Sequence, residues 1–415
     1  MDYFNYKGDD LYAEDLNVND LANDFGSPLY VYSKATLVRH MKAFEDAFSG
    51  HRHLICYAVK ANCSLAILAL MAKLGSGFDV VSRGELKRVI KAGGDPKKVV
   101  FSGVGKTDDE IVYALRQHIN CINIESEAEA DVIEKIASDL GIKARVAVRV
   151  NPDVDAKTHP SIATGLKNNK FGISYKKAFD VYMKLAKSKY IEICGIDCHI
   201  GSQMTSGQPI VDACERLLEL NAKLKDKGIH IEHIDVGGGL GVTYGDEAPP
   251  TPFEYVSAVM ATLADSDLSI YIEPGRAMVA NAGILLTRVL YLKENEGKNF
   301  CIVDAGMNDL IRPALYDSWM NIIPARKRKG PGKSYMVVGP VCESDDYLGK
   351  DRMLNVMRND ILAVRGAGAY GSSMSSNYNS RPLCAEVLVD KGQAYIIRHR
   401  QRVHDMWSSE NIVNI

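Results

Sequence analysis

Leu54-Ile55-Cys56-Tyr57-Ala58-Val59-Lys60-Ala61-Asn62 opens with an apolar run of strand length and then presents a single lysine. A short apolar run bounded by a polar turn fits a strand buried on both faces, as in a parallel sheet. The same design recurs downstream. Runs at 78–82 (FDVVS), 99–103 (VVFSG), 121–125 (CINIE), 144–150 (ARVAVRV), 193–200 (ICGIDCHI), 231–236 (IEHIDV) and 269–273 (SIYIE) share its character. Helix-like stretches separate them. Residues 84–92 set Leu86, Val89 and Ile90 on one face, and 127–140 do so with Val132, Ile133, Ile136 and Leu140. Residues 210–225 do the same with Val211, Cys214, Leu217, Leu218 and Leu224. Ser, Thr or Asp precedes several of these stretches, and Gly93, Gly141 and Gly228 close others.

Strands alternating with helices over about 220 residues fit a (β/α)8, TIM-like barrel, which takes about 200 to 250. An open doubly wound sheet gives the same alternation. The placement of chemically capable residues decides between them. Lys60, Asp79, His199, Gly237, Gly238, Gly239 and Glu273 all stand at or just beyond the C-terminal ends of different strand-like runs. Reactive groups spread in that way suit the top face of a barrel, placed at 33–278. Beyond residue 276 the pattern changes to strand-like segments at 284–292, 300–303, 335–338 and 386–389, separated by Gly, Pro and polar turns. The expectation is an α/β chain: a barrel, then a mostly β C-terminal domain. Residues 1–32 and 279–415 form that second domain, which the run 29–32 completes as an N-terminal strand.

The composition narrows the function classes. The chain has 415 residues, and Lys plus Arg (50) nearly balances Asp plus Glu (52) for a net charge of −2. That leaves no basic field for a nucleic-acid partner. No apolar run approaches the ~18 residues of a bilayer span, and the acidic, polar stretch 1–15 is unlike a secretory signal. Nine cysteines occur without a CxxC pair or zinc-ligand spacing. The expectation is a cytoplasmic enzyme without a metal or a membrane partner.

Two motifs are decoys. Gly103-Val104-Gly105-Lys106-Thr107 resembles the end of a phosphate loop, but Val100 stands where its first glycine belongs. A strand-to-helix turn is the better reading. Gly237-Gly238-Gly239-Leu240-Gly241 lacks the last glycine of a dinucleotide fingerprint, since Val242 occupies that place, and this argues against a nicotinamide cofactor.

The remaining motifs gain force together. A lysine at a buried strand end loses solvation, which frees its neutral amine to attack a carbonyl, although a lysine snorkelling to solvent is the commoner fate. His199-Ile200-Gly201-Ser202-Gln203 offers an imidazole to stack on a flat ring and a hydroxyl for a phosphate. Gly237–Gly239 lets backbone N–H groups close around phosphate oxygens, or makes a tight turn. Glu273-Pro274-Gly275-Arg276 offers a carboxylate for a protonated ring nitrogen, or a salt bridge at the barrel mouth. Each item is ambiguous; in this order, on separate strand ends, they fit pyridoxal 5′-phosphate.

At these residues the chain resembles the fold-type III pyridoxal-phosphate decarboxylases, most closely those acting on diaminopimelate. The resemblance covers nearly the whole chain. It runs through Tyr57–Asn62, Phe78–Ser82, Lys170-Phe171-Gly172, His199–Gln203, Gly237–Gly241 and Glu273–Arg276, then through Arg312–Tyr316, Gly339–Ser344 and Gly366–Tyr370. It implies that Lys60 holds the cofactor covalently, that His199 stacks on its ring and that Glu273 bonds the ring nitrogen. It further implies that Ser202, Gly237, Gly238, Gly239, Gly275 and Arg276 hold the phosphate, with Asp79 and Arg149 as polar support near Lys60. Tyr370 would close over cofactor and substrate. Arg276 and Arg312, helped by Tyr316, would receive the distal carboxylate of meso-diaminopimelate, and Glu343 its distal ammonium. Cys342 and Glu343 would reach the active site of a partner subunit, making a homodimer the minimal enzyme. Residues 158–170 resemble a lid. The implied reaction is loss of CO2 from meso-diaminopimelate to give L-lysine, with Cys342 or Lys60 returning the proton. The rivals are sister decarboxylases of ornithine, arginine or carboxynorspermidine, a racemase, which in this fold puts arginine where Glu273 stands, and an inactive regulatory relative.

Overall fold

The computed structural model describes residues 2–154, 169–264 and 266–413. They form two compact units. The barrel unit comprises 40–243 and 247–278; the β unit comprises 1–39, 244–246 and 279–415.

In the barrel unit, parallel strands close into an eight-membered ring. They are β1 (His53–Ala58), β2 (Gly77–Val80), β3 (Val99–Phe101), β4 (Cys121–Ile124), β5 (Ala144–Asn151), β6 (Ile191–Asp197), β7 (His233–Asp235) and β8 (Ser269–Ile272). Each pairs with its sequence neighbours, and β8 closes on β1 through Ile270–His53, Tyr271–Leu54 and Ile272–Ile55. The expected barrel is therefore present, and the open sheet is excluded by that last pairing. Residues on β2, β3 and β4 are buried on both faces, which is why these strands read as unbroken apolar runs.

The intervening helices bury one stripe each. Arg83–Lys91 buries Leu86 and Val89, and Glu127–Leu140 buries Ala130, Ile133, Ile136 and Ala137. Side chains of Ser82, Thr107, Ser126 and Thr251 accept from backbone N–H groups of the first turns they precede. Gly141 ends one helix with φ of 66°, a left-handed conformation that costs glycine nothing. The Gly103–Thr107 motif is a turn from β3 into the helix Asp108–Arg116, and Lys106 donates there to the carbonyls of Gly103 and Asn123 and to Glu129.

In the β unit the long strand Gly283–Asn295 pairs antiparallel with Leu29–Ser33, which in turn runs parallel to Ala385–Asp390. Lys298–Val303, Lys333–Val338 and Tyr347–Leu354 extend the sheet on the other side. Leu29, Val31, Ile284, Leu286, Val387 and Val389 pack in its core with Phe4, Leu11 and Leu21. Among the described residues no helix is long and apolar enough to cross a membrane.

Candidate active site

The C-terminal ends of the barrel strands bring together a cluster of charged groups. β1 leads into a tight turn, Val59–Ala61, that lifts Lys60 to the mouth. Its Nζ lies 2.5 Å from Asp79 Oδ2, and Asp79 stands in register with Ala58 on neighbouring β2. Asp79 is wholly buried, while the lysine side chain is 35 % exposed. The ammonium is thus tethered to a buried carboxylate and still reaches the open mouth.

Glu273 follows β8, its N–H donating to the Gly237 carbonyl at 2.8 Å. The next residue, Pro274, accepts from the N–H of Ala58, so this motif is stitched to the start of the Lys60 turn. Glu273 lies among Asp79, Asp197 and Asp235. Burial first, then these carboxylates, push its pKa well above the usual carboxyl range, with Lys60 pulling the other way. Asp235 is pushed up to about 7, chiefly by burial. Asp79 Oδ1, Asp197 Oδ1 and Asp235 Oδ2 are buried and accept no hydrogen bond among the described residues.

His199 lies two residues beyond β6. Its Nδ1 accepts from the Gly238 N–H at 3.1 Å, which leaves the ring proton on Nε2. Burial, with Arg149 and Lys60 nearby, holds its pKa well below the usual value, so the imidazole is neutral. The glycines of the β7 loop pack backbone to backbone. A Cβ on Gly238 would lie 2.2 Å from the Glu273 carbonyl oxygen, and one on Gly237 2.5 Å from that of Cys198. Gly239 would put its Cβ 2.5 Å from the Gly201 carbonyl, and its φ of 110° suits glycine. Ser202 Oγ accepts from Arg276 Nη2 at 3.1 Å, joining the loops after β6 and β8 beside these glycines and Gly275.

Arg149, on β5, donates from Nη1 to Glu125 Oε1 at 2.8 Å, stands 4.0 Å from Asp197 and lies over the Phe171 ring. Glu125 also accepts from the N–H groups of Gly103 and Gly172. Sequence reasoning did not single out Glu125, Asp197 or Asp235. A signal existed: a carboxylate inside an apolar strand-like run, as in ICGIDCHI and IEHIDV, needs a partner once buried.

The remaining expected residues lie in the β unit. Arg312 is buried at the start of the helix Arg312–Tyr316, its guanidinium over the rings of Tyr244 and Tyr316 at 5.3 and 5.6 Å. Tyr370 adopts a positive φ of 54°. Cys342 and Glu343 sit in an exposed turn; the Cys342 N–H donates to Asn379 Oδ1, and Glu343 accepts from the Tyr378 hydroxyl. Asp346 braces that turn by accepting from the N–H groups of Val341 and Met307, both at 2.6 Å. Most of the expected lid, 158–168, lies outside the described residues.

The mouth suits pyridoxal phosphate on its donor chemistry. Buried carboxyl groups crowded together, Glu273 among them, call for a cationic partner such as a protonated ring nitrogen. A glycine cradle with Ser202 and Arg276 suits a phosphate, and the Lys60 amine suits an aldehyde.

Residues 34–280 match the family model described as the pyridoxal-binding domain of pyridoxal-dependent decarboxylases. A diaminopimelate decarboxylase from Vibrio cholerae is 56 % identical over 100 % of both chains. The chain belongs to the diaminopimelate decarboxylase family. Solved relatives agree. A Helicobacter pylori diaminopimelate decarboxylase complexed with L-lysine superposes with a TM-score of 0.92 at 43 % identity, covering 95 % of this chain and 99 % of that one. The M. jannaschii enzyme, in co-complex with L-lysine, gives 0.95 at 36 % identity, covering 99 % and 98 %.

Proposed function

We propose that this chain decarboxylates meso-2,6-diaminopimelate to L-lysine and CO2, the last step of lysine biosynthesis, with pyridoxal 5′-phosphate at the barrel mouth. The observation that carries the reading is Lys60 Nζ against buried Asp79, with Glu273 among the same carboxylates. Full-length kinship with diaminopimelate decarboxylases supports the substrate.

When bound, the cofactor supplies the electron sink that lets the bond to the departing carboxylate break. The chain does the rest. Lys60 would hold the cofactor through Nζ, while Asp79 keeps Nζ at the mouth. Glu273 presents a carboxylate to the ring nitrogen and so holds a proton there. His199, neutral and fixed by Gly238, offers a flat ring face. Gly237, Gly238, Gly239, Gly275, Ser202 and Arg276 hold the phosphate.

Specificity rests on the far end of the substrate. Arg312, with Arg276 and Tyr316, takes the distal carboxylate, Glu343 the distal ammonium, and Tyr370 closes over both ligands. Leaving such charges unpaired is costly, so analogues lacking that end are rejected strongly. Cys342 and Glu343 serve the partner subunit of a homodimer, and Cys342 Sγ or Lys60 Nζ returns the proton to the carbon that lost CO2. We place the enzyme in the cytoplasm. CO2 release from meso-diaminopimelate, beside L-ornithine, L-arginine and L-lysine, tests the proposal: turnover of diaminopimelate alone is expected, and turnover of another amine instead would overturn the assigned specificity.

A further inference from the structure

Behind Glu273 stands a short chain of buried polar groups that the reaction, as described, does not use. Ser102, just past β3, places Oγ 3.5 Å from Glu273 Oε1, at the outer limit of such a contact. Asn123, on β4, donates from Nδ2 to that same Oγ at 3.1 Å. The Cys121 thiol in turn donates to Asn123 Oδ1 at 3.4 Å. All four residues are buried.

The chain has a direction. With the thiol facing its oxygen, the Asn123 amide turns its NH2 toward Ser102. One Ser102 lone pair is then occupied, and its hydrogen is left for the glutamate. That direction matters because Glu273 stands in company that opposes its charge. Asp79 on β2, Asp197 on β6 and Asp235 on β7 disfavour ionisation, while Lys60 and Arg149 favour it, and Cys56 and Tyr255 are neutral neighbours. A hydrogen bond donated to a carboxylate favours the ionised form.

We propose that Ser102 and Asn123 are positioning residues for Glu273: Asn123 holds the Ser102 hydroxyl so that it donates to Oε1 and keeps the carboxylate ionised for the cofactor's ring nitrogen. The proposal rests on the function proposed above and adds the device that sets the charge of its key carboxylate. Without that donor the ring nitrogen carries less positive charge and withdraws fewer electrons. The nitrogen joined to Lys60 then keeps its proton to higher pH.

The test is a pH titration of the cofactor's visible absorbance in holoenzyme, with kcat and KM measured alongside. Ser102→Ala should raise the midpoint by about half to one pH unit and lower kcat about tenfold, with KM changed less than about twofold. Asn123→Leu removes the donor without adding a charge, frees the Ser102 hydroxyl to turn away and should move both readouts in the same direction. In the double variant, Asn123→Leu should add nothing to Ser102→Ala. If Asn123→Leu fails to fold, Asn123→Ala carries the same expectation, because Ser102 again loses the donor that orients it. An unmoved midpoint in Ser102→Ala, or additive effects in the double variant, would overturn the proposal alone. Wild-type protein with no cofactor absorbance would overturn the function reading and this proposal with it.

Discussion

At the scale of single residues, the barrel mouth is a problem in holding charge away from water. Lys60 and Asp79 solve part of it as a pair, one reaching the opening and the other wholly buried. On the proposed function Lys60→Ala removes the group that would hold the cofactor, and turnover should fall at least about a thousandfold in a CO2-release assay. Asp235 makes a different prediction. Its pKa rises from 3.8 to about 7 in the folded protein, so between these values the folded state binds more protons than the unfolded one. Stability therefore falls as pH climbs from about 4 through 7. Thermal unfolding of cofactor-free protein across that range should show a flatter profile for Asp235→Asn; parallel profiles would contradict the assignment. Lys60, Asp79, His199 and Glu273 were visible in sequence because each stands within or at the end of an apolar run. Glu125, Ser102 and Asn123 were not, because their partners come from strands and loops distant in sequence: Arg149 and Gly172 for Glu125, Glu273 for Ser102.

At the scale of elements, the loops after β6, β7 and β8 hold one another by backbone contact. A methyl on Gly238 would press on the Glu273 carbonyl at 2.2 Å, a rigid atom that cannot move aside cheaply. Gly238→Ala should weaken cofactor binding at least about tenfold, measured by titrating cofactor-free protein, as the cradle opens to admit the side chain. The strands were legible because parallel strands buried on both faces leave unbroken apolar runs, as in Cys121–Ile124. Helix starts were legible from Ser82 and Ser126, whose side chains meet the first-turn N–H groups. The two-residue strand Ile173–Ser174, which pairs with the end of β5, left no such trace because its length carries no period.

At the scale of the whole molecule, periodicity revealed the barrel, whereas the choice of substrate rested on resemblance. Arg312, Cys342 and Glu343 lie in turns and a one-turn helix, where no pattern announces chemistry. Glu343→Ala should cut diaminopimelate turnover far more than cofactor affinity; equal losses would make Glu343 structural. If active sites are shared across a dimer, mixing inactive Lys60→Ala and Glu343→Ala chains should restore about a quarter of wild-type activity, since half the random dimers then carry one intact site. No recovery would place each site within one chain. Whether Lys60 at the barrel mouth carries pyridoxal phosphate is decided by borohydride treatment of the holoenzyme, which fixes a lysine-bound pyridoxal irreversibly, followed by peptide mass mapping. The modification is expected on Lys60 alone. A label on another lysine, or none, would contradict that expectation.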